Sequence, residues 1–233
     1  MYQYVLLDEN IEYTPEDVEY AHVTLKRSFR KGYWNTICLP CDVDDPVTVF
    51  GASTVVAQLS GMSGSVLQFS KVDRMEANVP YIIKAGTIQN SAIDNGDTRS
   101  TIYNIAGTSI VSPMVNGTVD THGDVSFIGT YDVSPIAVND GNYYLSKNNL
   151  FYVDSDASES KTSRFHGYFH TSSALHTKLN FDSEISVGIE TAETAPHGDI
   201  YNLHGVLVRS AAESLKGMKS GIYIMNGKKF IVK

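Results

Sequence analysis

The chain has 233 residues, of which 42% are hydrophobic and 19% charged, and 26 acidic against 18 basic side chains give a formal net charge of −8. A chain of this length buries a hydrophobic core in one large β domain, or in a medium domain and a small one, without needing disulfides. The excess of acid argues against a nucleic-acid partner, whose phosphates need clustered Lys and Arg. No stretch approaches the roughly 20 apolar residues that span a bilayer, so no transmembrane segment is predicted.

The first residues do not form a secretion signal. Residues 1–8 lack a basic segment followed by a long apolar one. This start indicates either a protein that is not exported or a fragment of an exported protein. The strand-like run directly after Met1 favours the fragment.

Short β-rich runs alternate with turn signals along the chain. In residues 20–29, Val23, Leu25 and Arg27 share one face of a predicted strand. Further strands are predicted at residues 34–39, 47–59, 66–72, 80–85, 100–111, 125–131, 141–145, 150–153 and 165–170. Turn signals separate them at residues 31–32, 94–97, 116–117 and 139–141. No segment keeps a helical period, so we predict an all-β fold, a β-sandwich of jelly-roll or Ig-like type.

The chain is predicted to divide into a body, a linker and a small C-terminal β-hairpin unit. The body covers residues 1–181. Residues 182–198 form the linker, because their second half is acidic and small, with one Pro and no bulky apolar side chain. In residues 199–233 one predicted hairpin turns at Gly205, and a second turns at Asn226-Gly227, a dipeptide suited to positive φ at both turn positions.

The C-terminal unit resembles the sorting domain of proteins exported by the type IX secretion system. Its pattern is Tyr-Asn-Leu-x-Gly, then a spacer, then Gly-Ile-Tyr and a short hairpin with a basic last residue. The residues that carry the pattern are Tyr201, Asn202, Gly205, Gly221, Tyr223, Gly227, Lys228 and Lys233. The resemblance implies that the secretion machinery is a partner and that the protein is extracellular or on the outer cell surface. The alternative is an ordinary final hairpin of the same sandwich.

The body resembles a module that precedes such tails in Bacteroidetes surface proteins. The matching segments are residues 34–40, 75–84, 127–131 and 164–169. Position 41 is Cys where that module favours an aromatic residue. The resemblance implies a secreted or cell-surface β module, but fold-level analogy supplies no ligand or substrate.

Cys38 and Cys41 have the spacing of a redox motif. Asp42, Asp44 and Asp45 follow them and oppose a thiolate, and Pro46 disfavours the helix that a thioredoxin-like site needs. The remaining alternatives are a disulfide across the turn and unpaired thiols.

For a metal site, acidic turns are better candidates than the histidines. Asp94 and Asp97 place hard oxygens within one short loop, which suits calcium, although no EF-hand pattern is present. His166 and His170 share one face of a predicted strand but lie roughly 13 Å apart, too far for one zinc ion. No cofactor other than calcium is predicted.

Catalytic motifs are absent from the sequence. Residues 61–65 resemble a nucleophile elbow but lack its final Gly, and no phosphate-binding glycine pattern occurs. We therefore predict no catalytic residues and no enzymatic activity.

Aromatic side chains are the candidates for ligand binding, because a Tyr or Trp ring offers an apolar face with a polar edge to a sugar. The predicted ligand-binding residues are Trp34, Tyr143 and Tyr168, with Tyr33 and Tyr144 as neighbours. Adjacent Tyr143 and Tyr144 point to opposite sheet faces, so one of the two is expected to be exposed. The function predicted is a non-catalytic glycan-binding or adhesion module. The alternatives are a structural spacer of a larger surface protein and a hydrolase accessory domain.

Overall fold

Strands dominate the fold, and the prediction of an all-β sandwich is confirmed. The computed structural model describes residues 1–30, 32–86, 94–95, 98–113, 119–154, 160–175, 180–181, 198–202, 207–212, 221–225 and 228–232. The chain divides into an N-terminal unit, Met1–Gly188, and a C-terminal unit, Ile189–Lys233. This division falls inside the predicted linker, whose residues 182–197 lie outside the described part.

The described elements of the N-terminal unit are fourteen strands and one helix. They are β1 (Gln3–Asp8), β2 (Val18–Arg30), β3 (Asn35–Cys38), α1 (Pro46–Phe50), β4 (Val55–Ser63), β5 (Val66–Val72), β6 (Pro80–Lys84), β7 (Asp94–Asn95), β8 (Thr98–Ile110), β9 (Val119–His122), β10 (Val125–Thr130), β11 (Asn142–Ser146), β12 (Asn149–Tyr152), β13 (His166–Thr171) and β14 (Asn180–Phe181). None of the described helices is long and apolar enough to cross a membrane.

These strands form three sheets. The first sheet has the order β1-β2-β8-β7, the middle sheet β14-β5-β4-β6-β3, and the third sheet β12-β11-β13-β10-β9. Most pairs are antiparallel, but β1 runs parallel to β2 and β14 parallel to β5.

Two hydrophobic cores show how the sheets are layered. One core joins Val23 and Leu25 of the first sheet to Val56 and Ile83 of the middle sheet. The other core joins the opposite face of the middle sheet to the third sheet and contains Phe69, Phe127 and Phe169. The middle sheet is therefore covered on both faces, which explains why β6 reads as a continuous apolar run with four successive buried residues. None of the described sheets of this unit packs on the outer face of the third sheet.

The strand predicted at residues 47–59 is wrong in its first half. Asp45 caps a short helix, α1, by accepting a hydrogen bond from the Thr48 backbone N–H at 3.0 Å, and Pro46 occupies the first turn. Gly51 then ends the helix at φ 100°, and β4 begins only at Val55. Side-chain capping and a proline that favours the first helical turn outweigh the β propensity of Val47, Val49 and their neighbours.

In the C-terminal unit the described strands form a four-stranded antiparallel sheet of order β16-β15-β17-β18, where β15 is Gly198–Asn202, β16 Leu207–Ala212, β17 Gly221–Met225 and β18 Lys228–Val232. The strand pairs of both predicted hairpins are present, and their turns at Gly205 and Asn226-Gly227 lie outside the described residues. Tyr201 lies opposite Leu207, and Met225 lies opposite Lys228, which leaves the predicted two-residue connection at 226–227.

Candidate functional site

The three aromatic residues predicted to bind ligand lie in different environments. Trp34 is 3% exposed in the core between the middle and third sheets, so its ring is not available to a ligand in solution. Tyr143 is 9% exposed and belongs to the same core. Tyr168 is half-buried and, because Phe169 points into that core, it lies on the outer face of the third sheet. Of the three residues, only Tyr168 faces outward from the sheet.

Tyr168 is part of a row of side chains that crosses four strands of this outer face. Phe151 and Tyr144 are opposite each other on β12 and β11, with their rings stacked at 5.3 Å and 17°. The recorded pairing of β11 with β13 ends with Tyr143 opposite Phe169, and the next residues along the two strands, Tyr144 and Tyr168, line one cleft. Ile128 on β10 lies opposite Tyr168. Phe151 is 43% exposed and the other three are half-buried. We call these four residues the aromatic row.

A cleft of about 380 Å³ opens beside Tyr144 and Tyr168. Most of its other lining residues carry a hydroxyl, an amine or an imidazole: Thr36, Thr130, Ser160, Lys161, Thr162, Ser163 and His166. No Asp or Glu is among the described residues that line it. The cleft therefore combines aromatic rings with hydrogen-bonding groups and one positive charge.

A buried ion pair lies next to this cleft. Arg27 is 1% exposed, and its Nη1 donates to Glu9 Oε2 at 2.8 Å and to the Ser28 carbonyl at 2.9 Å. Its Nη2 donates to the carbonyl of Thr36 at 2.7 Å. Glu9 Oε1 accepts from the Ser28 backbone N–H at 2.7 Å. These contacts tie β2, β3 and the segment after β1 together at one point.

Glu9 also meets His166, a lining residue of the cleft, at 3.4 Å between Oε2 and Nε2. Burial would raise the pKa of Glu9, but the hydrogen bond with His166 and the charge of Arg27 outweigh it and lower this pKa to about 2. Burial and the charge of Arg27 lower the pKa of His166 to about 4. The ring is therefore neutral at pH 7, and an ionised carboxylate beside Nε2 places the proton on that nitrogen. This assignment leaves Nδ1 as a hydrogen-bond acceptor.

The sequence contained a signal for this buried pair that the prediction of function did not use. Arg27 follows Val23 and Leu25 on the same predicted strand face, and both of those are buried. A guanidinium on an apolar face requires a buried partner, because an unpaired buried charge is strongly unfavourable. Glu9 could not be identified as that partner, because it is 18 positions away in sequence.

Tyr143 lines a second cleft, of about 640 Å³, at the other end of the third sheet. Its ring lies 5.2 Å from that of Tyr152, and Asp140 and His170 line the same cleft. The Nδ1 of His170 is 3.1 Å from Asn142 Oδ1. Asp140 gives this cleft a negative charge, whereas Lys161 gives the first cleft a positive charge.

An exposed aromatic cluster that the sequence analysis missed lies on the first sheet. Tyr2, Tyr4 and Tyr20 are 52%, 86% and 63% exposed. His22 packs between the first two, at 4.3 Å from the ring of Tyr2 and 5.5 Å from that of Tyr4. The parallel pairing of β1 with β2 makes this cluster, and short-range sequence patterns do not predict parallel pairing.

The two cysteines are buried thiols, not halves of a disulfide. Cys38 Sγ lies 3.3 Å from the hydroxyl of Tyr131. Burial raises the pKa of the Cys41 thiol to about 12, so it is protonated at neutral pH. A protonated, inaccessible thiol is unsuited to redox chemistry.

The predicted calcium residues cannot be placed as a site. Asp94 begins β7, but its side chain and all of Asp97 lie outside the described residues. Within the part of the chain that is described, no group of three His, Cys, Asp or Glu side chains could hold a metal ion.

The predicted sorting residues fall partly on described strands of the C-terminal unit. Tyr201 and Asn202 end β15, Gly221 and Tyr223 belong to β17, and Lys228 begins β18. The remaining three, Gly205, Gly227 and Lys233, lie outside the described residues.

Comparisons with family models, with curated proteins and with solved structures gave no match. The function is therefore inferred from the chemistry of the third sheet's outer face and its cleft.

Proposed function

We propose that this protein is a non-catalytic glycan-binding module of a secreted or cell-surface protein, and that the aromatic row is its binding platform. The observation that carries the proposal is the stacked pair of Phe151 and Tyr144 on neighbouring strands, with Tyr168 of the next strand lining the same cleft as Tyr144. Aromatic rings on a sheet face offer apolar surfaces to the C–H faces of sugars while their edges stay wet.

The spacing of the row suits a polymer. Neighbouring strands lie about 4.8 Å apart, which is close to the repeat of a sugar unit along a glycan chain. Because the rings of Phe151 and Tyr144 stack on each other, a glycan lying across the strands would meet this pair with one unit and Tyr168 with another. The hydroxyls of the adjacent cleft supply the directional hydrogen bonds that fix orientation in a sugar site.

Replacing Tyr168 by Ala is expected to weaken glycan binding roughly ten-fold, about 1.4 kcal/mol, because it removes a ring that belongs to the platform and lines the cleft. The measurement is a glycan array followed by titration calorimetry with the best ligand. Phe151→Ala is expected to act in the same direction. Tyr20→Ala removes an exposed tyrosine of the first sheet and is the matched control, with unchanged affinity expected.

Each variant is compared with the parent chain by thermal unfolding, so that a loss of fold is not read as a loss of binding. Silence of the parent protein across neutral and charged polysaccharides would contradict the proposal and favour a structural spacer. Equal weakening by Tyr168→Ala and Tyr20→Ala would move the platform away from the third sheet.

The C-terminal unit has the role of an export and attachment signal in this proposal. Its support is the tail pattern of residues 201–233, together with a four-stranded sheet that belongs to a compact unit of its own. A fusion of residues 182–233 to a periplasmic passenger is expected to reach the cell surface in a host with the type IX machinery. A fusion with residues 199–233 in scrambled order is the control. Retention of the first fusion in the periplasm would contradict this role.

A further inference from the structure

Three cations near the aromatic row form no ion pair with a described carboxylate: Arg30, Lys147 and Lys161. Five other described cations each pair with a carboxylate: Lys26, Arg27, Lys71, Arg74 and Arg164. In a chain with a net charge of −8, unpaired cations collected at one place require an explanation.

All three cations are connected to the same end of the row. Arg30 Nη1 donates to Ser146 Oγ at 3.1 Å, and Ser146 lies two residues beyond Tyr144, on the same face of β11. Lys147 is exposed in the turn that follows Ser146, where its φ is 47°. Lys161 is exposed and lines the cleft together with Tyr144 and Tyr168.

Among the described carboxylates near the row, none pairs with these three cations, and Asp132 pairs with Arg164 instead. Glu9 is already paired with Arg27 at 2.8 Å. Asp140 is close enough to raise the pKa of Tyr168, after the effect of burial, but it lines the second cleft beside His170. His170 lies two residues after Tyr168 on the same face of β13, on the side opposite to His166. The row therefore has a basic end on the side of Lys161 and an acidic end on the side of Asp140.

We propose that the basic end of the row binds the anionic group of an acidic glycan, a uronic acid or a sulfated sugar. The inference deepens the proposed function and rests on it. The rings of Tyr144 and Tyr168 hold the sugar face, and Lys161, with Arg30 and Lys147, pairs with the carboxylate or sulfate. Because the whole chain is anionic, long-range attraction does not favour such a polymer, so binding depends on this local cluster.

The experiment compares each acidic polymer with its neutral counterpart on the full chain, at about 0.05 M salt, where exposed ion pairs are weakly screened. Polygalacturonate is paired with its methyl ester, and dextran sulfate with dextran. The parent protein is expected to bind at least one acidic polymer roughly ten-fold more tightly than its neutral partner, as several exposed ion pairs together allow. The preferred polymer identifies the anionic group as carboxylate or sulfate.

Lys161→Met is expected to reduce the preference for the acidic polymer roughly three-fold, which is the scale of one exposed ion pair. Adding Arg30→Gln and Lys147→Asn is expected to abolish the preference, and Asn tolerates the positive φ of the turn. Lys71→Met removes an exposed lysine whose partner is Asp73, and this control is expected to keep the preference.

Two results would overturn the inference, and they differ from a failure of the proposed function. In the first, acidic and neutral polymers bind equally well and Tyr168→Ala abolishes the binding of both. That result would support the glycan platform but contradict the anion site. A preference that survives in the triple variant would place the anion contact elsewhere. The absence of binding to every polymer would instead contradict the proposed function itself.

Discussion

Replacing Glu9 by Ala is expected to lower the free energy of unfolding by about 3–5 kcal/mol, the range for removing one partner of a buried ion pair. Arg27 is fully buried, and Glu9 is its carboxylate partner at 2.8 Å. Without Glu9 the guanidinium keeps only the carbonyls of Ser28 and Thr36. Two neutral acceptors do not compensate a buried positive charge.

Urea denaturation of the parent and variant chains measures this difference. Asp73→Ala breaks the exposed pair with Lys71 and is the matched control, with an expected change below about 1 kcal/mol. The double variant Glu9→Leu/Arg27→Met removes both charges and is expected to recover most of the loss. A Glu9→Ala chain within about 1 kcal/mol of the parent would show that the pair is not structurally important.

Acidification is expected to destabilise the protein in two overlapping steps, together on the order of 3 kcal/mol or more. The pKa of His166 falls from an ordinary 6.5 to about 4 in the folded state, because burial and Arg27 disfavour its charged form. The unfolded chain therefore binds this proton first, and stability falls as the pH drops from 6.5 to 4. Glu9 has a folded pKa of about 2 against an ordinary 4.5, so its contribution is present above 4.5 and is lost between 4.5 and 2.

Urea midpoints at closely spaced pH values test this prediction. The His166→Gln chain lacks the group that takes up this proton. Its free energy of unfolding is therefore expected to change less with pH than that of the parent between pH 6.5 and 4. Glu9→Gln is expected to reduce the step below pH 4.5, and the rest of that step belongs to carboxylates such as Asp8, whose pKa is also lowered. A His166→Gln chain with the same pH profile as the parent would sink the assignment of the upper step to this ring.

Local sequence patterns predicted the strands that depend on short-range information. The alternation in residues 20–29 is found in β2, and the Asn-Gly dipeptide joins β17 to β18 with the expected register. These features follow from a two-residue side-chain period and from the φ that a tight turn demands, both of which are properties of neighbouring residues.

The same patterns did not locate the candidate binding surface. Trp34 is as aromatic as Tyr168, yet one is buried between two sheets and the other faces outward. The sequence showed that Tyr143 and Tyr144 point in opposite directions, but not which of them meets solvent. That choice depends on which face of the third sheet packs on the middle sheet, and this packing is a long-range event.

Sequence alone determined an all-β chain with a net negative charge and a pair of C-terminal hairpin strand pairs, because composition, period and turn chemistry act over a few residues. Only the tertiary structure decided that the body has three layers, that Arg27 meets Glu9, and that Phe151, Tyr144 and Tyr168 align. Each of these depends on the pairing and packing of distant strands. Hydrophobic burial drives that packing, but it does not specify partners from local sequence.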